Sequence, residues 1–206
     1  MSTQEHAAAH THRDDYGARM GMWLFLFTEL ILFGGMFLVY SVYRFTNQAE
    51  FHLAATELNT IIGTFNTVIL LTSSLTMALS IAAIQKNNKS LSIFFQLLTI
   101  LLGLFFMVNK YFEWSAKINH GLFPGSDELL AKSSGEILFY GLYYAMTGLH
   151  GLHVLVGMVL IGVMAGFTSR GSITYDNYVK LENTGLYWHL VDIIWIFLFP
   201  LFYLIT

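Results

Sequence analysis

The sequence predicts an all-α membrane protein, a polytopic bundle of five transmembrane helices with a cytoplasmic N-terminus. Of its 206 residues, 55% are hydrophobic and 11% are charged, whereas about a quarter are charged in an ordinary soluble domain. The mean hydropathy is +0.59. Five apolar segments are each long enough for the roughly 20 residues that cross a bilayer as a helix. They lack strand-like alternation, and a helix satisfies its own backbone in lipid.

The chain opens with a polar segment, residues 1–17, that contains His6, His10 and His12. Because this segment lacks the basic head and apolar middle of a signal peptide, we expect a cytoplasmic tail. A single transmembrane domain, residues 18–206, follows it. The predicted helices within that domain span residues 18–44, 59–84, 91–116, 136–168 and 178–205.

Polar links separate the predicted helices. The third link contains Pro124 and Gly125, which favour a turn. The fourth helix is longer than a bilayer requires, so we expect it to tilt or to project. Pro200 lacks a backbone donor and should bend the last turn of the fifth helix.

The distribution of basic residues favours a cytoplasmic N-terminus. Six lysines and arginines lie on the N-terminal side of the membrane and four lie on the opposite side, and the positive-inside rule places the larger number in the cytoplasm.

Composition argues against several functional classes. The formal net charge is -3 without a basic cluster, which disfavours nucleic acid as a partner. The sequence has no cysteine, and therefore no disulfide, thiolate metal ligand or nucleophilic thiol. It also contains no P-loop, dinucleotide fingerprint or serine-nucleophile elbow. Evidence about function must therefore come from the ionisable side chains inside the apolar segments.

Ionisable side chains at membrane depth cost about 2.5 to 3.5 kcal/mol each on insertion scales, so they need partners or a role. Glu29 lies near the middle of the first predicted helix. Two interpretations of Glu29 stay open. The carboxyl group forms a hydrogen bond to a neighbouring helix, or it belongs to a site for protons or lipid headgroups. In TGLHGLHVLVG, His150 and His153 are three residues apart and share a helix face. The glycines around them allow a second helix to approach closely.

The fifth predicted helix carries a second polar face, formed by Glu182, His189 and Asp192. We expect the two faces to form one buried network, in which the imidazoles of His150 and His153 bond across to the fifth helix and to Glu29. A metal or haem centre is an alternative, because both helices offer histidine and one offers carboxylates. The Glu-x-x-His pairs of di-iron bundles are absent.

Several stretches of the chain resemble, in order, subunit III of the haem-copper oxidases, a family of cytochrome c and quinol oxidases. MWLFLFTELILFGG resembles a family helix with a buried glutamate, at Glu29, and LNTIIGTFNTVILLTSSLTMALS resembles the next helix of short bacterial members. LLGLFFMVNKYFEWSAKINHGLFPG places a family glutamate at Glu113, and Glu182 matches an acidic position before the last helix. The most specific stretches are TGLHGLHVLVG and YWHLVDIIWIFLFPLFYL, which carry His150, His153, Trp188, His189, Asp192 and Trp195.

The resemblance covers residues 18–206 and implies a non-catalytic subunit of a proton-pumping terminal oxidase in a bacterial plasma membrane. Electrons would pass from cytochrome c to oxygen in aerobic respiration. The resemblance implies that haem and copper reside in partner subunits, chiefly the catalytic subunit I and subunit II, and that this chain has no catalytic residue or metal ligand. It also implies phospholipid binding and support of proton uptake. The implied buried polar, proton or lipid site comprises Glu29, Glu113, His150, His153, Glu182, His189 and Asp192.

Three other functions stay open at this stage. A quinol oxidase or a nitric oxide reductase has an accessory subunit of the same fold with a different partner. A stand-alone membrane metal or haem protein would use the histidine and carboxylate faces directly. Longer members of the family have seven helices, and this sequence lacks the first two.

Overall fold

The computed structural model describes residues 14–205, and within them it contains helices and no β-strand. Five helices in this part of the chain are long and apolar enough to cross a membrane, which confirms the predicted all-α, five-span architecture. The elements in order are α1 (Asp15–Thr46), α2 (Gln48–Thr56), α3 (Thr60–Gln85), α4 (Lys89–Asn119), α5 (Asp127–Leu130), α6 (Ser134–Ser169) and α7 (Val179–Tyr203). The three tail histidines lie outside the described residues.

Polar caps set where the helices begin. The Asp14 carboxylate accepts a hydrogen bond from the Gly17 backbone at 2.7 Å, so α1 begins at Asp15, before the predicted start at residue 18. The carbonyl oxygen of the Asn59 side chain caps α3. Ser133 and Glu136 form a reciprocal capping box at the start of α6, which satisfies backbone donors that the first turn leaves free.

The bundle has two ends, named proximal and distal. The proximal end holds the start of α1 together with the α3–α4 and α6–α7 links. The distal end holds the short helices α2 and α5, which lie in the predicted polar links, and the last turn of α7. Pro200 lies inside that last turn, and the Tyr40 hydroxyl of α1 donates to the nearby Leu201 carbonyl.

Helix α7 lies at the centre of the bundle, where it packs against α1, α2, α3 and α6. Trp188 and Trp195 of α7 are fully buried. The Trp188 ring fits because two neighbours are glycines: an added Cβ would lie 2.9 Å from the ring at Gly103 and 2.7 Å from it at Gly157. Among the described residues, helix α1 packs against α2, α6 and α7 and against no other helix, which leaves most of its surface for lipid or a partner.

Candidate functional site

Glu29 of α1 pairs with one histidine of α6. Its Oε2 atom lies 3.0 Å from Nε2 of His153, and both side chains are largely shielded, at 15% and 14% exposure. The other ring nitrogen, Nδ1, lies 2.8 Å from the Leu149 carbonyl oxygen. Because a carbonyl only accepts, Nδ1 carries a proton. The contact with Glu29 then needs one further proton, held by either the carboxyl or the imidazole.

The pair lies where three helices meet. The ring of Phe33, from α1, packs edge-on against His153 at 5.3 Å, and the Tyr187 ring of α7 stacks against the same imidazole at 6.4 Å. The Tyr187 hydroxyl also donates to the backbone oxygen of His153 at 3.2 Å. These contacts join α1 to α6 and α7, and they hold the imidazole in one orientation toward Glu29.

His150 does not join this pair, contrary to the prediction that both imidazoles bond to the network. It is fully buried, edge-on to Phe106 at 5.6 Å and tilted against Trp195 at 5.2 Å. Neither ring nitrogen has a hydrogen-bond partner among the described residues. The reason is rotational: residues three apart on a helix point about 60° apart, since each residue turns about 100°. His153 therefore faces α1, whereas His150 faces α4 and α7.

A second buried cluster lies toward the distal end and centres on Glu113. The Lys110 ammonium donates to Glu113 Oε2 at 3.0 Å and to the hydroxyls of Tyr143 and Tyr203 at 3.1 and 2.9 Å. Glu113 Oε1 accepts from the same two hydroxyls at 2.8 and 2.6 Å. The family resemblance indicated Glu113, whereas Lys110 was not predicted as a site residue, although a lysine three residues before a glutamate in an apolar segment was a usable signal.

An ion-pair network joins the links at the distal end of the bundle to α6. Lys132 lies between the carboxylates of Glu57 and Glu136, at 3.1 and 3.0 Å, and the Tyr140 hydroxyl donates to Glu57 at 2.9 Å. Partial burial lowers the pKa of Lys132, but hydrogen bonds to Glu136 and Glu57 and the charges of both acids outweigh it, so the pKa stands above its ordinary value. The network ties the α2–α3 link to α6.

The predicted polar face of α7 divides between two environments. His189 Nδ1 lies 2.7 Å from the Ser74 hydroxyl of α3, and Asp192 is buried at 2% exposure near the same serine. Glu182 is half-exposed at the proximal end and pairs with Arg19 of α1 at 2.8 Å. The prediction of one buried network through all three residues is therefore wrong for Glu182, because a position in the first turn of α7 lies outside the bundle core.

The pair of Glu29 and His153 can hold and exchange a proton, and together with the cluster around Glu113 it can hold helices together. Among residues 14–205, no three histidine, aspartate or glutamate side chains converge as a metal site would require. The two clusters join α1, α4, α6 and α7 through charged hydrogen bonds, which are stronger than neutral ones. The chemistry available at Glu29 and His153 is proton transfer between two partly shielded groups.

Comparison with known proteins gives the family. A family model described as cytochrome c oxidase subunit III matches residues 1–206. Cytochrome c oxidase subunit 3 of Synechocystis sp. is 33% identical over 207 residues, with 99% of this chain and 83% of the relative covered.

Two further relatives carry other names. A probable quinol oxidase subunit 3 of Staphylococcus haemolyticus is 29% identical over 188 residues, covering 91% of this chain and 88% of the relative. A haem-copper oxidase subunit I+III of Aeropyrum pernix is 28% identical over 193 residues, covering 91% of this chain and 22% of that longer protein. The chain is therefore a multi-pass membrane protein that belongs to the subunit III family of the haem-copper oxidases.

Proposed function

We propose that this chain is the non-catalytic subunit III of a proton-pumping terminal oxidase of a bacterial plasma membrane, which transfers electrons from cytochrome c to oxygen. The observation that carries the proposal is the family match over residues 1–206. In this proposal haem and copper belong to subunit I and subunit II, and phospholipid binds to this chain. The N-terminus faces the cytoplasm, and the distal end faces the outside.

The neighbours of the buried polar groups support a structural and proton-handling role. Each of the three membrane histidines contacts a different helix partner: His153 meets Glu29 of α1, His189 meets Ser74 of α3, and His150 packs on aromatic rings. This divergence disfavours a haem held between two of them. In this proposal the pair of Glu29 and His153, which can exchange a proton, takes part in proton uptake by the complex.

A fused relative supports contact with subunit I. The Aeropyrum pernix protein is named for subunits I and III in a single chain, and fusion keeps two polypeptides that assemble together at a fixed ratio. The exposed apolar surface of α1, which includes Trp23, Leu24 and Phe27 at about 60% exposure, offers room for a neighbouring transmembrane helix.

A quinol oxidase subunit is the second candidate, because a relative of similar identity and coverage is named as a probable quinol oxidase subunit 3. The two functions differ in the electron donor, which binds to partner subunits and not to this chain. The residues of this chain therefore favour neither donor by themselves.

Purification of the tagged chain from native membranes in mild detergent tests both candidates. We expect a haem-copper subunit I to co-purify with it and the complex to consume oxygen with reduced cytochrome c. Oxygen consumption with a quinol alone would select the second candidate. Co-purification with a nitric oxide reductase, or with no redox protein, would contradict both.

A further inference from the structure

Helix α7 lies at the centre of the bundle, yet one side of it is uncovered. Helices α1 and α3 both pack against α7, but they do not contact each other in the part of the chain that the structure describes. These two helices therefore form the walls of a groove, and α7 forms its floor. The floor residues recur at helical spacing and are His189, Ile193, Ile196 and Pro200. This surface is named the α7 groove.

Side-chain contacts place the floor between the two walls. Phe199 of α7 lies against Gly63 of α3, and Phe197 packs against a phenylalanine of α1, with 6.1 Å between ring centroids. At about 100° per residue, Ile193 and Ile196 point between these two directions. Ile193, Ile196 and Phe197 are 46%, 42% and 55% exposed, so this side of α7 is open.

His189 places a polar group in the floor at the middle of the membrane. The residue is partly exposed and lies ten residues after the start of α7 at Val179, which is about 15 Å along the helix. A phospholipid headgroup stays at the membrane surface, and acyl chains offer no hydrogen bond. Because ionisable side chains at this depth face protein or a water-filled cavity, the exposed side of His189 indicates a protein neighbour.

One ring nitrogen of His189 is held from inside the bundle and the other is not. Nδ1 lies 2.7 Å from the hydroxyl of Ser74 in α3. The Ser73 hydroxyl beside it donates to a carbonyl of its own helix, whereas the Ser74 hydroxyl meets the imidazole. Nε2 has no hydrogen-bond partner among residues 14–205, and the atom is not enclosed by the protein. The imidazole is therefore oriented by Ser74, with Nε2 directed away from α3.

The group that satisfies Nε2 must reach the middle of the membrane and form a hydrogen bond there. A transmembrane helix meets both conditions, and a groove with one helix as its floor and two as its walls accommodates one further helix at the usual spacing of about 8–10 Å. If Ser74 donates to Nδ1, Nε2 carries the proton and donates; if Ser74 accepts, Nε2 accepts in the neutral ring. A hydroxyl or carboxamide side chain fits both cases.

We propose that the α7 groove binds one transmembrane helix of a partner subunit, which places a serine, threonine, asparagine or glutamine side chain against Nε2 of His189. Ile193 and Ile196 supply apolar contacts around this polar one. The inference rests on the proposed function only in that this chain works within an oxidase complex. It concerns a different surface from the exposed side of α1 that carries Trp23 and Phe27.

Two substitutions of one residue separate the outward contact from the inward one. The amide of His189→Asn reaches the position of Nδ1 and can keep the bond to Ser74, whereas the longer His189→Gln reaches the position of Nε2. Photoreactive p-benzoylphenylalanine in place of Phe197 reports the neighbour of the groove in the purified complex. The matched control has it in place of Phe105, which is 53% exposed on α4, a helix that packs against α3 and α6.

We expect irradiation to cross-link the probe at Phe197 to a transmembrane segment of another subunit, and the probe at Phe105 to give no cross-link to that segment. Mass spectrometry should show a serine, threonine, asparagine or glutamine in the segment about two turns from the cross-link, at the depth of His189. In His189→Asn the yield should fall about fivefold, the factor expected from one hydrogen bond between membrane helices. His189→Gln should keep most of the yield.

Photoproducts with lipid or detergent alone at Phe197 would overturn the proposal, and so would a cross-link to a second copy of this chain. A captured segment without a hydroxyl or carboxamide side chain at that depth would also refute it. Equal yields in the two His189 variants would show that only the inward contact matters. A complex without a haem-copper protein would instead contradict the proposed function, while the cross-link and the two variants still test the α7 groove.

Discussion

In the buried pair of Lys110 and Glu113, loss of either charge alone should destabilise the chain, whereas loss of both charges together should have little effect. Lys110 and Glu113 are each 7% exposed, and their contact measures 3.0 Å. Lys110→Met leaves the glutamate without its cation, and Glu113→Gln leaves the ammonium without its anion. Removal of one partner from a buried ion pair costs about 3 to 5 kcal/mol, whereas removal of both is often neutral.

The double variant should therefore recover most of the loss. With both charges gone, the glutamine can still accept hydrogen bonds from the hydroxyls of Tyr143 and Tyr203, which lie 2.8 and 2.6 Å from Glu113. At about 2 to 4 °C per kcal/mol for a chain of this size, each single variant should lower the unfolding temperature by about 10 °C. The double variant should stay within about 3 °C of wild type.

The assay heats the purified complex in mild detergent and records the temperature at which this chain dissociates or aggregates. Arg19→Met serves as the matched control, because the pair of Arg19 and Glu182 is half-exposed and an exposed pair contributes only about 0 to 1 kcal/mol. Additive losses in the double variant would refute the reasoning, since independent sites add and coupled ones do not. A control as damaging as Lys110→Met would refute it equally.

Three further changes have definite expected results. Glu29→Gln should preserve assembly and initial oxygen consumption, because the amide keeps a hydrogen bond to the histidine of α6; loss of the complex from membranes would contradict this. His150→Phe should change the unfolding temperature by less than about 3 °C, since no described partner loses a hydrogen bond; a large loss would reveal one. Gly157→Val should cost about 1 to 3 kcal/mol through overpacking against Trp188, whereas Gly34→Ala, with nothing within 4 Å, should not; equal thermal shifts would contradict the packing argument.

The five spans were predictable because hydropathy and length set them directly. Each observed span overlaps a predicted one, and the differences at the ends follow from caps, such as Asp14 before α1. Helix α2 was missed because it is short and lies in a polar link, where its stability comes from burying Phe51 and Ala54 against the bundle. Such tertiary packing is not visible in local sequence.

The partners of the polar groups were less predictable than their burial. Sequence spacing places His150 and His153 on one side of α6, but the choice of His153 as partner of Glu29 depends on how α6 is rotated relative to α1. Glu182 was assigned to the buried face because spacing alone does not show how deep a position lies. Lys110 was not predicted because a lysine near the end of an apolar segment usually extends its ammonium to the membrane surface.

We propose that the buried ion pairs of this chain, Glu29 with His153 and Lys110 with Glu113, join its helices and that the chain holds no redox centre. A visible spectrum and metal analysis of the chain, separated from its partners in mild detergent, test this most directly. The account predicts no haem absorption and less than about one tenth of an equivalent of iron or copper per chain. Haem or stoichiometric metal that remains with this chain alone, and is lost on substitution of His150 or His189, would contradict it.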